Sequence, residues 1–196
     1  MKQFSITVRL MDDAQLETVY QTQICRDFPE NERKSLERMR QLRDLGLYEC
    51  CALEQNGHPC AYAMFSSAPG CACLLLDYFA VDRRMRGQGV GTAALDAVGR
   101  YTRGRAQGVI LETEDPAFAR NAQELAVRRR RIAFYQRCGA RLTDLRLWLY
   151  GVDYRVMFLP NGADLSDGAV QGAMEQIYRA QFSPERYAKQ VRFTSP

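Results

Sequence analysis

Residues 85–101 read MRGQGVGTAALDAVGRY: three glycines at every second position behind Arg86, followed at once by a helical pattern. A dinucleotide fingerprint needs G-x-G-x-x-G, and a Walker loop needs a Lys after its last Gly, where this chain has Thr92. The spacing fits neither. Upstream lies CACLLLDYFAV, an unbroken apolar run of the kind that forms a central strand buried on both faces. A buried strand ending at Val81, a turn of small residues and a helix starting near Gly91 or Thr92 make an anion site, because unpaired N–H groups and the positive dipole end converge there. Gly87, Gly89 and Gly91 are expected to bring the backbone close to phosphate oxygens and to take positive φ. Arg86 adds charge, with Arg83 and Arg84 beside it. The bland alternative is a turn that only connects strand to helix, and the flanking context argues against it.

Outward from this stretch, strands and helices alternate. QFSITVRL alternates as a strand, and Asp12 or Asp13 caps a helix with Leu16, Val19, Tyr20 and Ile24 on one face. A second helix follows Ser35, carries Leu36, Met39, Leu42 and Leu45, and stops at Gly46. LYECCALEQ and PCAYAMFSS meet across Asn56-Gly57, a strong hairpin signal. Beyond the loop comes the strand GVILETE, and Asp115-Pro116 is read as the start of a long helix ending at Cys138-Gly139. RLTDLRLWLYG and YRVMFLP read as a final strand pair. An amphipathic helix follows from Ser166, and PERYAKQVRFTSP reads as an appendage.

Composition narrows the function classes. A chain of 196 residues with 46% apolar residues and no run of about 18 uncharged apolar ones reads as one soluble domain, or one with an appendage. The N-terminus lacks the apolar core of a signal peptide, so a cytoplasmic location is expected. Seven Cys, an odd number without a C-x-x-C pair, read as reduced packing residues. A single His, His58, leaves almost nothing from which to build a His-rich metal site or a Ser-His-Asp triad, and no metal is expected. The net charge of +4 permits acidic ligands without demanding nucleic acid.

Two blocks resemble the GNAT superfamily of acyl-CoA-dependent N-acetyltransferases. Arg86-Gly87-Gln88-Gly89-Val90-Gly91 matches its pyrophosphate loop, Q/R-x-x-G-x-G/A, and RIAFYQRCGA, residues 131–140, is similar to its F-Y-x-x-x-G-F signature. The order of elements agrees over about residues 4–160. The resemblance implies an α/β (α+β) fold with a mixed, mainly antiparallel central sheet and helices on both faces. Residues 1–160 would form the acetyltransferase domain and 161–196 a short helical C-terminal extension. It also implies acetyl-CoA as co-substrate. Phe79, Ala80 and Val81 would bind the pantetheine arm and polarise the thioester carbonyl, and Arg86, Gly87, Gln88, Gly89, Val90, Gly91 and Thr92 would wrap the pyrophosphate. Tyr135 matches the tyrosine that serves as general acid. With a phenol near 10 and a thiol near 8.5, full proton transfer costs roughly 2 kcal/mol, so strong hydrogen bonding is the safer role.

An amine acceptor must also lose a proton, and a carboxylate is the natural acceptor of it. Glu112 and Glu114 share one face of their strand. By the resemblance Glu112 is the base, with Glu114 as the alternate and Asp77 behind them. Two departures stand out. Arg128 occupies the position where many members carry Asn, within the run Arg128-Arg129-Arg130-Arg131, and Ala140 replaces an aromatic. Arg128, Arg131, Ile132 and Tyr135 share a helix face, while Val127, Phe134 and Cys138 are expected to point to the core. Arg128 or Arg131 is a candidate partner for a coenzyme phosphate or an acidic substrate group, and the rest of the run reads as a solvated basic face. The resulting expectation is acetyl transfer to a primary amine, in a small molecule or a peptide, by direct attack in a ternary complex. A non-catalytic acyl-CoA-binding protein of the same fold and a basic nucleic-acid-binding module are the rivals. No membrane partner is expected, and a homodimer is left open.

Overall fold

The computed structural model describes residues 5–194. Strand β1 is Ile6–Leu10 and helix α1 Asp13–Val19, which runs through a π-helical turn, Tyr20–Ile24, into the short α2, Cys25–Asp27. A 3-10 turn, Glu30–Glu32, leads to α3, Leu36–Asp44. Then come β2, Tyr48–Gln55, β3, His58–Ser66, and β4, Cys73–Val81. A 3-10 turn, Arg83–Met85, precedes α4, Val90–Thr102, and β5, Gly108–Glu114. After another 3-10 turn, Pro116–Phe118, come α5, Ala122–Arg137, β6, Arg141–Leu149, and β7, Val152–Pro160. The C-terminal part holds α6, Asp167–Gln181, α7, Pro184–Gln190, and β8, Val191–Thr194.

The chain divides into two compact units, and β4 contributes to both. The first runs to Ser67 and resumes over Asp77–Tyr101. In it β1, β2 and β3 pair antiparallel. Asn56 and Gly57 supply the left-handed pair, φ 52° and 76°, that the two-residue turn between β2 and β3 requires. The amphipathic patterns of α1, the π-helical turn and α3 bury Leu16, Ile24, Met39 and Leu42 against Tyr48, Met64 and Tyr78. Asp12 caps α1 and Ser35 caps α3, as the sequence indicates.

The second unit holds Ala68–Leu76 and the chain from Thr102 onward. Cys73 to Leu76 of β4 pair parallel with Gly108 to Leu111 of β5, and β4 continues five residues past the last pair. β5 pairs antiparallel with β7, β7 with β6, and β6 with β8. The result is a mixed, mostly antiparallel sheet flanked by helices, as expected. The C-terminal segment is woven into this unit: Val170, Met174, Ile177 and Tyr178 of α6 pack on Ile110, Leu145, Val156 and Phe158, and it adds the edge strand β8 to the expected helices.

Two local readings need correction. Asp115-Pro116 opens only the 3-10 turn Pro116–Phe118, because Ala119 is extended and breaks the helix there. The long helix starts after Asn121, whose side chain accepts the Glu124 N–H at 2.8 Å. On α5 one expected core position, Val127, faces outward, while Phe134 and Cys138 are partly buried. Val127 is 40% exposed, whereas Tyr135 is buried and Arg128 keeps only 11% of its side chain exposed.

Candidate active site

In the first unit, β4 delivers the half-buried Phe79, Ala80 and Val81 to its C-terminal end. Asp82 then accepts the backbone N–H of Arg84 at 2.9 Å and its guanidinium at 2.9 and 3.1 Å, which fixes the 3-10 turn. These bonds, the Arg84 side chain first, hold the Asp82 carboxyl down to about 2. Arg86 folds back so that its Nε donates to the Val81 carbonyl at 3.0 Å, and the Gln88 amide donates to the Arg84 carbonyl at 3.0 Å. Gly87 and Gly89 have φ of 77° and 87°, which lets the chain turn from extended Arg86 into α4. Gly91 does not share that geometry. It is already the second residue of α4, because the helix begins at Val90. Ala93 donates to the Gly89 carbonyl at 3.3 Å, so the N–H groups of Val90, Gly91 and Thr92 precede the first intrahelical bond. Arg86, Gly87, Gln88, Gly89 and Thr92 are exposed, so these donors and the guanidiniums are open to an anionic group.

Sequence reading passed over Asp27. This carboxylate accepts from Arg26 at 3.2 Å, Arg83 at 3.1 Å and Arg86 at 3.4 Å. Burial raises its pKa, yet the arginines, Arg26 foremost, bring it below the usual carboxylate value. With Arg84 on Asp82, four guanidiniums face two carboxylates, which leaves the loop electropositive. No local pattern marks Asp27, which lies 59 residues before Arg86.

In the second unit the two acids of β5 have different partners. Glu112 accepts a hydrogen bond from the Tyr178 hydroxyl of α6. Glu114 accepts from Arg128 at 2.9 Å and Arg131 at 3.2 Å. The two arginines that sequence reading offered to a phosphate thus have a carboxylate partner in the fold, while Arg129 and Arg130 are exposed. Arg128 also donates to the Asp115 carbonyl at 2.8 Å, and Arg146 pairs with the buried Asp115 side chain at 3.3 Å. Tyr135, on the inward face of α5, is 9% exposed, and burial pushes its phenol up to about 12. It therefore keeps its proton throughout the neutral range. Among the described residues all seven cysteines are free, and burial raises the Cys50 thiol to about 12 and the Cys73 thiol to about 11. Cys50, Cys51, Cys60 and Cys73 are buried packing residues, whereas Cys25 is exposed.

Asp77, the remaining carboxylate considered as a base, binds both Lys34, at 2.7 and 2.8 Å, and the Tyr48 hydroxyl at 2.5 Å. Among the described residues no helix is long and apolar enough to cross a membrane.

The sequence pattern of the acetyltransferase (GNAT) family matches residues 16–140, well over half of the chain. The chain belongs to the GNAT acetyltransferase family. The match takes in β4, the glycine loop and α5 with Tyr135, and it ends before α6. No curated protein matches the sequence. Among solved structures, a GNAT-family protein from Bacteroides thetaiotaomicron is similar with a TM-score of 0.68 at 19% identity, over 86% of this chain and 94% of that one. The ribosomal-protein-S18-alanine N-acetyltransferase from Escherichia coli is similar with a TM-score of 0.58 at 22% identity, over 83% and 98%. Spermidine N-acetyltransferase from Vibrio cholerae, determined with CoA and spermine, gives 0.60 at 10% identity, over 80% and 95%. At these identities the likeness is one of fold. In this GNAT protein the glycine loop between β4 and α4 lies within the matched residues, and the β5 acids are held by residues of α5 and of the α6 that the family pattern does not reach.

Proposed function

We propose that this GNAT protein transfers the acetyl group of acetyl-CoA to a primary amine by direct attack in a ternary complex. The observation that carries the reading is the loop after Val81: exposed glycines with left-handed φ, an electropositive surround, and the open N-terminus of α4 within the family match. That arrangement suits a pyrophosphate, which Arg86, Gly87, Gln88, Gly89, Val90, Gly91 and Thr92 would hold. Phe79, Ala80 and Val81 would take the pantetheine arm. The coenzyme supplies the activated acetyl group and a thiolate leaving group. The amine nitrogen bonds to the acetyl carbon, the carbon–sulfur bond breaks, and the electron pair stays on sulfur.

Two protons must be managed. Glu112 would receive the proton that the attacking amine loses, and Tyr178 supports that role by orienting the carboxylate. Glu114 is the less suited alternate, because Arg128 and Arg131 engage its two oxygens within the fold. Tyr135 would donate to the departing sulfur. With its phenol near 12 and a thiol near 8.5, full transfer is uphill by roughly 5 kcal/mol, so it acts by hydrogen bonding to the developing thiolate. Neighbours that act on a protein alanine and on spermidine support an amine acceptor and leave its size open. The pairing of Arg128 and Arg131 with Glu114 argues against a nucleic-acid-binding surface built on the arginine run.

The test is a melting scan with acetyl-CoA followed by thiol release over an amine panel. Acetyl-CoA at about 100 times its Kd should add roughly 2.7 kcal/mol of stability. Gly89→Val should abolish that gain by forcing a β-branched residue into left-handed φ. A folded chain that shows no shift at saturating acetyl-CoA overturns the reading.

A further inference from the structure

Lys34 sits on the irregular connector between the 3-10 turn Glu30–Glu32 and α3. Its ammonium lies 2.7 and 2.8 Å from the two oxygens of Asp77 and close to two aromatic rings, with centroids at 5.7 Å for Tyr48 and 6.0 Å for Tyr78. The Tyr48 hydroxyl donates to the same carboxylate, and the pair is largely enclosed, with side-chain exposures of 19% for Lys34 and 12% for Asp77. A carboxylate flanked by tyrosine rings is a receptor for an alkylammonium, since charge and ring quadrupoles attract the same cation. All of it belongs to the first unit.

The position of this cage gives it significance. Asp77 is on β4, two residues before Phe79, which puts it about 7 Å along the strand from the backbone assigned to the pantetheine arm. The cation that fills it comes from a connector, not from a helix or strand. Besides the ammonium contact, that connector is tied to β4 by Tyr78, whose hydroxyl donates to the Glu32 carbonyl at 2.9 Å and accepts the Lys34 N–H at 2.8 Å. Lys34 can leave the cage by rotating its own side chain, and none of these backbone bonds breaks.

The geometry points to an ammonium subsite formed by Asp77, Tyr48 and Tyr78, which Lys34 occupies from within the chain and which receives the distal ammonium of a dicationic acceptor. The inference rests on the amine-acceptor reading and sharpens it to an α,ω-diamine class. Lys34 then acts as an internal competitor: a diamine gains the cage only by displacing it, and an amine with a neutral tail gains nothing there.

The full chain and Lys34→Ala are titrated with 1,4-diaminobutane, with n-butanol as the neutral control. Lys34→Ala should bind the diamine at least about tenfold more tightly than the unsubstituted chain, and adding Asp77→Asn should abolish the gain. In the thiol-release assay Lys34→Ala should raise kcat/KM for 1,4-diaminobutane relative to n-butylamine by about tenfold. Equal diamine affinity in both chains, binding that survives Asp77→Asn, or an unchanged ratio of the two amines overturns the proposal. An unchanged ratio would reduce the contact to an ion pair that ties the connector to β4. If neither amine releases thiol from the unsubstituted chain, the amine-acceptor reading fails instead, and the titration still decides the cage. Should Lys34→Ala not fold, Lys34→Met, which keeps the aliphatic stem and lacks the ammonium, replaces it in both measurements.

Discussion

The turn after β4 and the end of β5 are both charged strand ends, and they are organised in opposite ways. Between Val81 and Val90 the decisive contacts span two to five residues: Asp82 with Arg84, Arg86 with Val81, Gln88 with Arg84. At Glu112, Glu114 and Asp115, apart from the Ala117 N–H that Asp115 caps, the side-chain partners lie 13 to 66 residues away, on α5, β6 and α6. The backbone turn is set by these local bonds, and the distant Asp27 adds ion pairs to the side chains of Arg83 and Arg86. A pair of carboxylates set by distant helices takes its chemistry from the packing of those helices. Glu112 and Glu114 are chemically the same residue on the same face of one strand, and only their partners make one a candidate base and the other half of an ion-pair cluster.

The largest expected effect tests the catalytic side of this contrast. Tyr135→Phe should lower the maximal rate by about 10² to 10⁴ with acetyl-CoA affinity retained, because the hydroxyl acts in the transition state and the ring still fills its place. Single-turnover rates separate chemistry from product release. A loss of affinity equal to the loss of rate would make Tyr135 a binding residue.

The two acids should then diverge. Glu112→Gln should cut turnover by about 10² with little change in acetyl-CoA binding. Glu114→Gln should leave turnover within a few-fold and instead lower stability by about 1 to 3 kcal/mol, since it strips two guanidiniums of their carboxylate. A reversed pattern in kcat and in chemical denaturation would exchange their roles.

A smaller effect is expected from Tyr178→Phe. Losing the hydroxyl that orients Glu112 should lower the rate a few-fold near neutrality with acetyl-CoA binding unchanged. The charged groups on that face, Glu114 with Arg128 and Arg131, are untouched by this change. An unchanged rate with a normal fold would mean that the hydroxyl contributes only packing and a local bond.

The smallest effect belongs to the loop. Asp82→Ala should cost about 1 kcal/mol, the usual value of a capping side chain. Because the folded-state pKa of Asp82 is depressed to about 2, its contribution is complete above the unfolded value near 4 and disappears as pH falls towards 2. The variant and the parent chain should therefore converge in stability at acid pH. A gap that persists at pH 2 would assign the loss to something other than this carboxylate.

Much of this was legible because it is local. Apolar alternation marks β1 to β3, the unbroken run marks β4, Asn56-Gly57 marks a hairpin, and Asp12, Ser35 and Ser166 mark helix starts, each through physics confined to a few neighbouring residues. The same locality made the glycine loop readable, with a one-residue error at Gly91 that arose because helix starts are not sharply encoded. On α5 the outward position of Val127 and the partner of Arg128 escaped the sequence for a different reason: Arg128 was expected to meet an acidic group of a ligand, and the groups it meets, Glu114 and the Asp115 carbonyl, are announced by nothing near it in sequence.

By itself, then, the sequence determined the family, the order of elements as far as β7, the glycine loop between β4 and α4, and Tyr135 as the residue to examine. Only the tertiary structure decided which carboxylate is held by a phenol and which by guanidiniums, that Asp27 anchors three arginines, that Lys34 fills a cage on β4, and that the C-terminal helix packs into the second unit. The division has one physical cause. Backbone conformation and capping are settled by interactions within a turn or two, whereas the ionisation and hydrogen bonding of a side chain are settled by whichever groups the fold brings within about 3 Å of it.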